Sequence, residues 1–378
     1  MSPGDPSRPG RTGPARSVPV SSAWLEVRRP GPLATVQDLG RPGLSHLGVP
    51  RAGAADAVAL RLANALVGNA PGAAGIEATL AGPELVLSHA RAVAVTGAAG
   101  GWTVGGIEVP LAATVVVPAG EVVAVRPTQR GVRSYVAVEG GIAVPMVLGS
   151  RSSDTLSGLG PAPLSTGTRL PLGPAGELSP WLAAPAGHGS AVVRALPPAL
   201  AALALEERAE EAAWPVLPGP HLARLGEEAL RSLCATTWVV APASDRTGVR
   251  LEAAARPPAR PDSGGRAGVG QIPPLGMVAG AVQLPPGGSP IVLLANHATT
   301  GGYPVVAVLA RAALGRAAQA RPGSAVRFRP VALHEAQELL RRLEVAVASA
   351  GAGSPSPLPR AGRPGSAHAT VRPRLHGG

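Results

Sequence analysis

The sequence predicts a mainly β protein with some helices, and three observations carry that expectation. Short apolar runs rich in Val, Leu, Ile and Ala recur at roughly 8–12-residue intervals, the rhythm of an all-β barrel or sandwich. Gly (50) and Pro (43) are far above ordinary usage and punctuate those runs as turns. Aromatic residues make up only 2% of the chain, so aliphatic side chains must fill the core. At 378 residues the chain is long enough for two domains.

Residues 1–22 are rich in Ser, Pro, Gly and Arg and read as a disordered tail, with the body opening near Trp24. Strands are expected at 85–87, 92–96, 114–117, 122–126 and 134–138. One helix is expected over 54–67: Ala57, Leu60, Ala63, Ala65 and Leu66 share a face, and Gly68 with Asn69 supplies the stop. A second unit is expected to begin near Ser190, giving domains at 23–189 and 190–349 and a basic disordered tail at 350–378. It contains helical stretches at 196–213 and 221–233, separated by Pro215, Pro218 and Pro220. Strand-like runs follow at 237–242, 279–284, 291–295 and 305–309, around a mobile Arg/Pro/Gly loop at 253–270. A closing helix is expected over 333–348, where Leu339, Leu340, Leu343 and Val347 fall at helical spacing.

The net charge of +11 is concentrated in the ends: residues 1–30 hold +3 of it and residues 351–378 hold +4. Basic tails of this kind are ordinarily solvated, and few aromatics are present to stack on bases, so nucleic-acid binding is not expected. All 34 basic side chains are Arg; there is no Lys. That excludes a P-loop, a Schiff base and covalently attached biotin from this chain. The only cysteine, Cys234, excludes an internal disulfide and a Cys-based zinc site, and fits a reducing cytoplasm. No signal-peptide apolar region is visible, which again points to the cytoplasm. Residues 267–310 lack Asp, Glu and Arg, but Pro273, Pro274, Pro285, Pro286, Gly287 and Gly288 interrupt them, so no membrane span is expected.

Four polar stretches stand out. The first is TVQDLGRPG at 35–43, followed by His46, Arg51 and Asp56. Here Arg41 and Arg51 can hold an anion in a fixed fork, His46 can move a proton, and Asp38 completes the set of candidate catalytic residues. The alternative is that Asp38 pairs with Arg41 to hold a turn while Asp56 caps the helix. The second, GSRSSDT at 149–155, places Arg151 and Asp154 among hydroxyls that can ligate an anion or satisfy their own turn. The third holds Asp245 and Arg246 after a strand, either a binding pair or a surface ion pair. In the fourth, Thr299, Thr300, Gly301, Gly302 and Tyr303 can turn backbone N–H groups toward one point as an anion nest, or simply make a tight turn. No metal or nucleophile signature occurs: His334 and Glu335 sit in HEAQE rather than HExxH, and no GxSxG elbow is present.

Taken together, TVQDLGRPGLSHLGVPRAGAAD with RLANALVGN, then GGIAVPMVLGSRSSDTLSGLG, SDRTGVRLE and GAVQLPPGGSPIVLLANHATTGGYPVVAVLARA resemble the KipA family, also called allophanate hydrolase subunit two. The order and spacing agree over about residues 24–340. The resemblance implies two tandem cyclophilin-like β-barrel domains. It implies a subunit of an ATP-dependent 5-oxoprolinase, opening 5-oxo-L-proline to L-glutamate beside a KipI-like subunit and a LamB/YcsF-like subunit. Relatives form the carboxyltransferase part of urea carboxylase, and the KipA name also suggests a non-enzymatic regulator that binds a KipI-like kinase inhibitor. ATP or carboxybiotin would come from partner subunits. Gln37, in the first polar stretch, joins Arg151, Asp154, Asp245, Arg246 and 299–303 as a candidate for substrate or anion binding. This chain departs from the family at Asn296, where Asp is usual, at Ala298, where Gln is frequent, and at Pro274 and Leu275, where Ser-Glu is usual.

Overall fold

A computed structural model describes residues 23–128, 130–176, 192–195, 213–254 and 272–352. The expected N-terminal tail, the helix at 196–213 but for its last residue, nearly all of the loop at 253–270 and the expected C-terminal tail from 353 on lie outside the described residues, while residues 350–352 continue the closing helix. The expected class holds: the chain is mainly β, with helices at its seams.

Two six-stranded sheets form the first half. One runs β11 (Arg169–Pro171), β1 (Trp24–Arg29), β4 (Glu84–Leu87), β9 (Val122–Val125), β6 (Trp102–Val104), β7 (Ile107–Val109). The other runs β12 (Val192–Ala195), β8 (Ala113–Val117), β5 (Arg91–Ala99), β10 (Arg130–Val138), β3 (Gly75–Thr79), β2 (Leu33–Gln37). Alternate residues of both sheets, among them Leu25, Val36, Ile76, Leu87, Val95, Trp102 and Val136, form one buried cluster, so the sheets pack face to face. Just past residue 190, Val192 pairs with Val115, and the segment through Ala195 forms an edge strand of the second sheet.

The outer face of the second sheet carries α1 (Ala57–Leu66). Small residues at Ala92, Ala94 and Ala137 let it approach closely, and Leu62, Ala63 and Leu66 bury against them. Thr96 Oγ1 donates to Ala59 O at 2.7 Å and Thr114 Oγ1 to Leu66 O at 2.8 Å, tying helix to sheet at both ends. Asp56 caps the helix as expected, accepting from Ala59 N at 3.1 Å.

The second half is an eight-stranded sheet: β21 (Ala325–Val326), β14 (Trp238–Val240), β15 (Gly248–Ala253), β18 (Ile291–Leu293), β17 (Ala281–Gln283), β20 (Val305–Leu309), β13 (Trp214–Pro218), β22 (Phe328–Pro330). Its two edges, β21 and β22, are separated in the chain by Arg327 alone, so the sheet curls into a nearly closed barrel. Trp214 and Phe328 meet edge-to-face at 5.8 Å inside it, beside Val216, Leu251, Val282 and Val306. A small two-stranded antiparallel sheet pairs β16 (Leu275–Gly276) with β19 (Thr300–Gly301). The helix expected over 221–233 divides into α2 (Leu222–Leu225) and α3 (Glu227–Ala235), because Gly226 adopts φ 79° and ψ 152°, outside the helical region.

Two helices join the halves. α4 (Leu314–Ala318) lies against α1, and Gly315 packs so close that a Cβ would come within 2.7 Å of Asp56 Oδ1. α5 (Leu333–Ala352) packs Leu343, Val347 and Ala350 onto the Leu62–Leu66 face of α1. The closing helix therefore seals the first half as well as the second. Among the described residues no helix is long and apolar enough to cross a membrane.

Candidate functional site

The polar stretch after β2 becomes a closed loop. Arg41 N donates to Arg51 O at 2.8 Å and Ala54 N to Asp38 O at 2.9 Å, which cinches residues 38–54 at the base. Gly40, at φ 80°, allows this approach: a Cβ there would stand 2.4 Å from Arg51 O. Ala52 and Leu148, in the two loops that meet here, both sit at φ 52° in the left-handed region, an uncommon conformation for residues with a Cβ.

Asp38 is the joint between these loops. Its Oδ1 accepts from Gly40 N at 2.7 Å, Ser150 Oγ at 2.6 Å and Ser152 Oγ at 2.5 Å, and its Oδ2 accepts from Arg151 N at 2.7 Å. The carboxylate expected as catalytic is thus engaged by four donors of the protein, the arrangement of a group that positions the two loops. This arrangement also replaces the Asp38–Arg41 turn pair. Arg41 is buried and instead holds carbonyls of the facing loop, Val147 O at 3.2 Å and Ser152 O at 2.6 Å. Gly160, at φ 80°, makes room, since a Cβ there would fall 2.2 Å from Ser152 O. Gln37 Nε2 donates to Ser153 O at 3.0 Å. The buried atoms Gln37 Oε1, Arg41 Nη1 and Ser153 Oγ have no hydrogen-bond partner among the described residues, so this corner retains capacity for a small polar group.

The second and third stretches meet across the seam between the halves. Asn296, fully buried, donates to Asp154 Oδ1 at 3.3 Å and Thr155 Oγ1 at 3.1 Å while its Oδ1 accepts from Arg246 Nη2 at 3.0 Å. Arg246 also donates to Gly53 O at 2.6 Å and pairs with Glu77. Glu77 is buried in β3 and further accepts from Ala55 N at 2.9 Å and the Tyr135 hydroxyl at 2.8 Å, with Arg133 at 3.7 Å. Burial pushes the Glu77 carboxyl up, but Arg246, Arg133 and these donors outweigh it and hold it below its usual value. Burial, then Glu77 and Asp56, raise Tyr135 well above the ordinary phenol range, so it stays a donor. Gln319 of the second half extends the network, donating to Asp56 Oδ2 and Arg133 O, both at 2.9 Å.

The remaining expected site residues are dispersed. His46 lies exposed in a 3-10 turn, with no contact to Asp38 or Arg41. Arg51 stands at the rim of a separate cavity. Arg151 turns its guanidinium to Val144 O at 2.8 Å and meets Asp38 only through its backbone. Asp245 is exposed and caps its own turn, accepting from Thr247 N at 2.7 Å. The anion nest expected at 299–302 does not form. Thr300 and Gly301 are extended and paired with Gly276 and Leu275, and Gly301 and Gly302 lack the positive φ that a nest requires. Tyr303 is at the surface.

Composition and spacing pass over His297, beside Asn296. Its Nδ1 lies 2.8 Å from Ala298 O, which fixes Nδ1 as the protonated nitrogen and leaves Nε2 as an acceptor. Burial lowers its pKa, partly opposed by that hydrogen bond. Linkage gives the sign: the unfolded chain takes up a proton as pH falls below about 6.5, while the folded chain resists it. The melting temperature is therefore expected to fall on acidification from pH 7 to 5.5, and His297→Gln to flatten part of that fall; an unchanged pH profile in the variant would contradict the neutral, buried assignment. Among the described residues no group of three His, Cys, Asp or Glu is placed to hold a metal.

The model of the family "carboxyltransferase domain, subdomain A and B" matches residues 47–330. The chain belongs to this family. Within it, the chain is 31% identical over 323 residues to the 5-oxoprolinase C subunit of Escherichia coli, covering 82% of this chain and 93% of that protein. It is 30% identical over 332 residues to urea amidolyase of Saccharomyces cerevisiae, covering 86% of this chain but only 18% of that protein. The solved urea amidolyase of K. lactis superposes with a TM-score of 0.73 at 27% identity, over 90% of this chain and 20% of that one. The family match includes Arg151, Asp154, Arg246, Asn296 and His297 and leaves out Gln37, Asp38 and Arg41, which precede it. Asn296, which the family resemblance leads one to expect as Asp, keeps its bridging place through its amide.

Proposed function

We propose that this chain is the C subunit of an ATP-dependent 5-oxoprolinase, opening the lactam of 5-oxo-L-proline to L-glutamate with KipI-like and LamB/YcsF-like partner subunits. The observation that carries this reading is the match to the 5-oxoprolinase C subunit over 93% of that protein's length, against 18% of urea amidolyase. The chemistry is compatible with a shared site. Amide resonance makes a lactam carbonyl a poor electrophile, so activation must precede attack by water. With no Lys, this chain has neither a P-loop lysine nor a biotin acceptor, and the activating group comes from a partner. What this chain contributes is the neutral His297, with Nε2 available to accept a proton, on a framework that the buried Arg41 and Arg246 hold rigid at the seam.

The test is reconstitution. Co-expression with its KipI-like and LamB/YcsF-like partners is expected to give ATP-dependent glutamate release from 5-oxo-L-proline, and omission of this chain to abolish it. Full activity without this chain removes the reading. A second reading, carboxyltransfer to urea or a related amide, draws on the family description and the K. lactis urea amidolyase superposition. It requires a partner carrying biotinyl-lysine, and the same preparation would then carboxylate urea rather than release glutamate.

A further inference from the structure

A cavity of about 130 Å³ opens at the seam between α1 and α5. Its apolar wall includes Ala54 and Val58 from the first half and Leu314 and Leu343 from the second. Arg51, Arg61, Arg311 and Glu344 rim it, a net of two positive charges. Glu344 is already engaged: Arg61 grips it with both Nη atoms, at 3.0 and 2.7 Å. Arg51 and Arg311 have no carboxylate within ion-pair distance among the described residues. Among those residues Arg51 has one side-chain hydrogen bond, a long one of 3.5 Å to Leu39 O. Partial burial, and then the charge of Arg311, pull the Arg51 guanidinium below its usual value. Two like charges at one mouth repel, and an anion between them would offset that cost.

The lining narrows the class of anion. A guanidinium matches a carboxylate in its own plane. The wall behind it is apolar and rewards a ligand with a short hydrocarbon body, which inorganic phosphate lacks. A cavity of about 150 Å³ accepts a benzene-sized body, so this one suits a ligand of a few carbon atoms. We propose that the cavity binds a small organic carboxylate, its charged group held between Arg51 and Arg311 and its body seated on Ala54, Val58, Leu314 and Leu343. The proposal concerns this chain alone and does not depend on the lactam-opening reading.

Titration calorimetry on the full chain tests it, with propionate, 5-oxo-L-proline, 2-pyrrolidinone and inorganic phosphate as probes. 2-Pyrrolidinone keeps the lactam ring and lacks the carboxylate. Saturable binding of a carboxylate is expected, with 2-pyrrolidinone and phosphate at least about tenfold weaker, and with Arg51→Gln and Arg311→Gln each costing about tenfold at an unchanged melting temperature. Propionate binding without 5-oxo-L-proline binding supports the site and leaves the lactam reading to the reconstitution assay. The site is overturned if neither carboxylate saturates, if phosphate binds as tightly, or if the Arg51→Gln/Arg311→Gln double variant keeps full affinity.

Discussion

Glu77→Ala is expected to destabilise the chain by about 3–5 kcal/mol, because removing one member of a buried ion cluster leaves the other charges uncompensated. Glu77 is 1% exposed, Arg246 and Arg133 are both buried, and neither guanidinium has another carboxylate at hand among the described residues. The substitution also strips a partner from Ala55 N and from the Tyr135 hydroxyl. The size of the effect comes from the orphaned groups rather than from any large net value of the pair. Arg246→Ala should therefore cost less, since Arg133 remains to neutralise Glu77. The two losses should be strongly non-additive in a double-mutant cycle followed by denaturant unfolding. Because the folded-state pKa of Glu77 lies below its unfolded value of about 4.5, its contribution is complete above that pH and is lost as pH falls through the folded value. The wild type should thus lose stability in acid over a range where the Glu77→Ala chain changes little. Additive losses and parallel acid profiles would show that the cluster does not couple the halves.

That cluster also marks where the sequence stops being legible. Strands such as Ala113–Val117 and Val305–Leu309 announce themselves by β-branched runs between turns, and α1 by its cap and apolar face. These are local properties, and local physics decides them. α5 is legible as a helix but not in its destination, because its apolar face fits α1 as readily as its own barrel. Glu77 sits in GIEAT, and a lone acid inside an otherwise apolar strand is the available signal that it must be paired. Its partner Arg246 lies 169 positions away, and no spacing rule reaches that far. For Asp38 the sequence offers Arg41, its near neighbour, whereas its true partners Ser150 and Ser152 come from another loop. The residues 299–302 mislead for a related reason: Thr and Gly permit a nest, but pairing with Leu275 and Gly276 satisfies the same backbone groups as a strand.

The same long-range wiring makes Asp38 the most sensitive position in the proposed reaction. Asp38→Ala is expected to lower turnover of the reconstituted complex about a hundredfold, the scale at which a displacement near 1 Å in a site costs rate. Asp38 is buried and committed to the protein, with three donors on Oδ1 and a fourth on Oδ2. The loss must come through the loop that it anchors, which carries Ser152, Ser153 and Asp154 to Arg41 and Asn296. Asp38→Asn separates this from a charge effect. The amide keeps Oδ1 for Gly40 and the two hydroxyls but turns an NH₂ toward Arg151 N, one donor facing another. It should therefore cost about 1–3 kcal/mol, against more for alanine, which orphans every donor. If Asp38 acts by position, turnover should track the folded geometry, with Asn intermediate and Ala lowest, and with the pH–rate profile unshifted in both. If asparagine abolishes turnover as completely as alanine and moves the profile, the carboxylate takes part in the chemistry after all, and the loop would have to open to expose it.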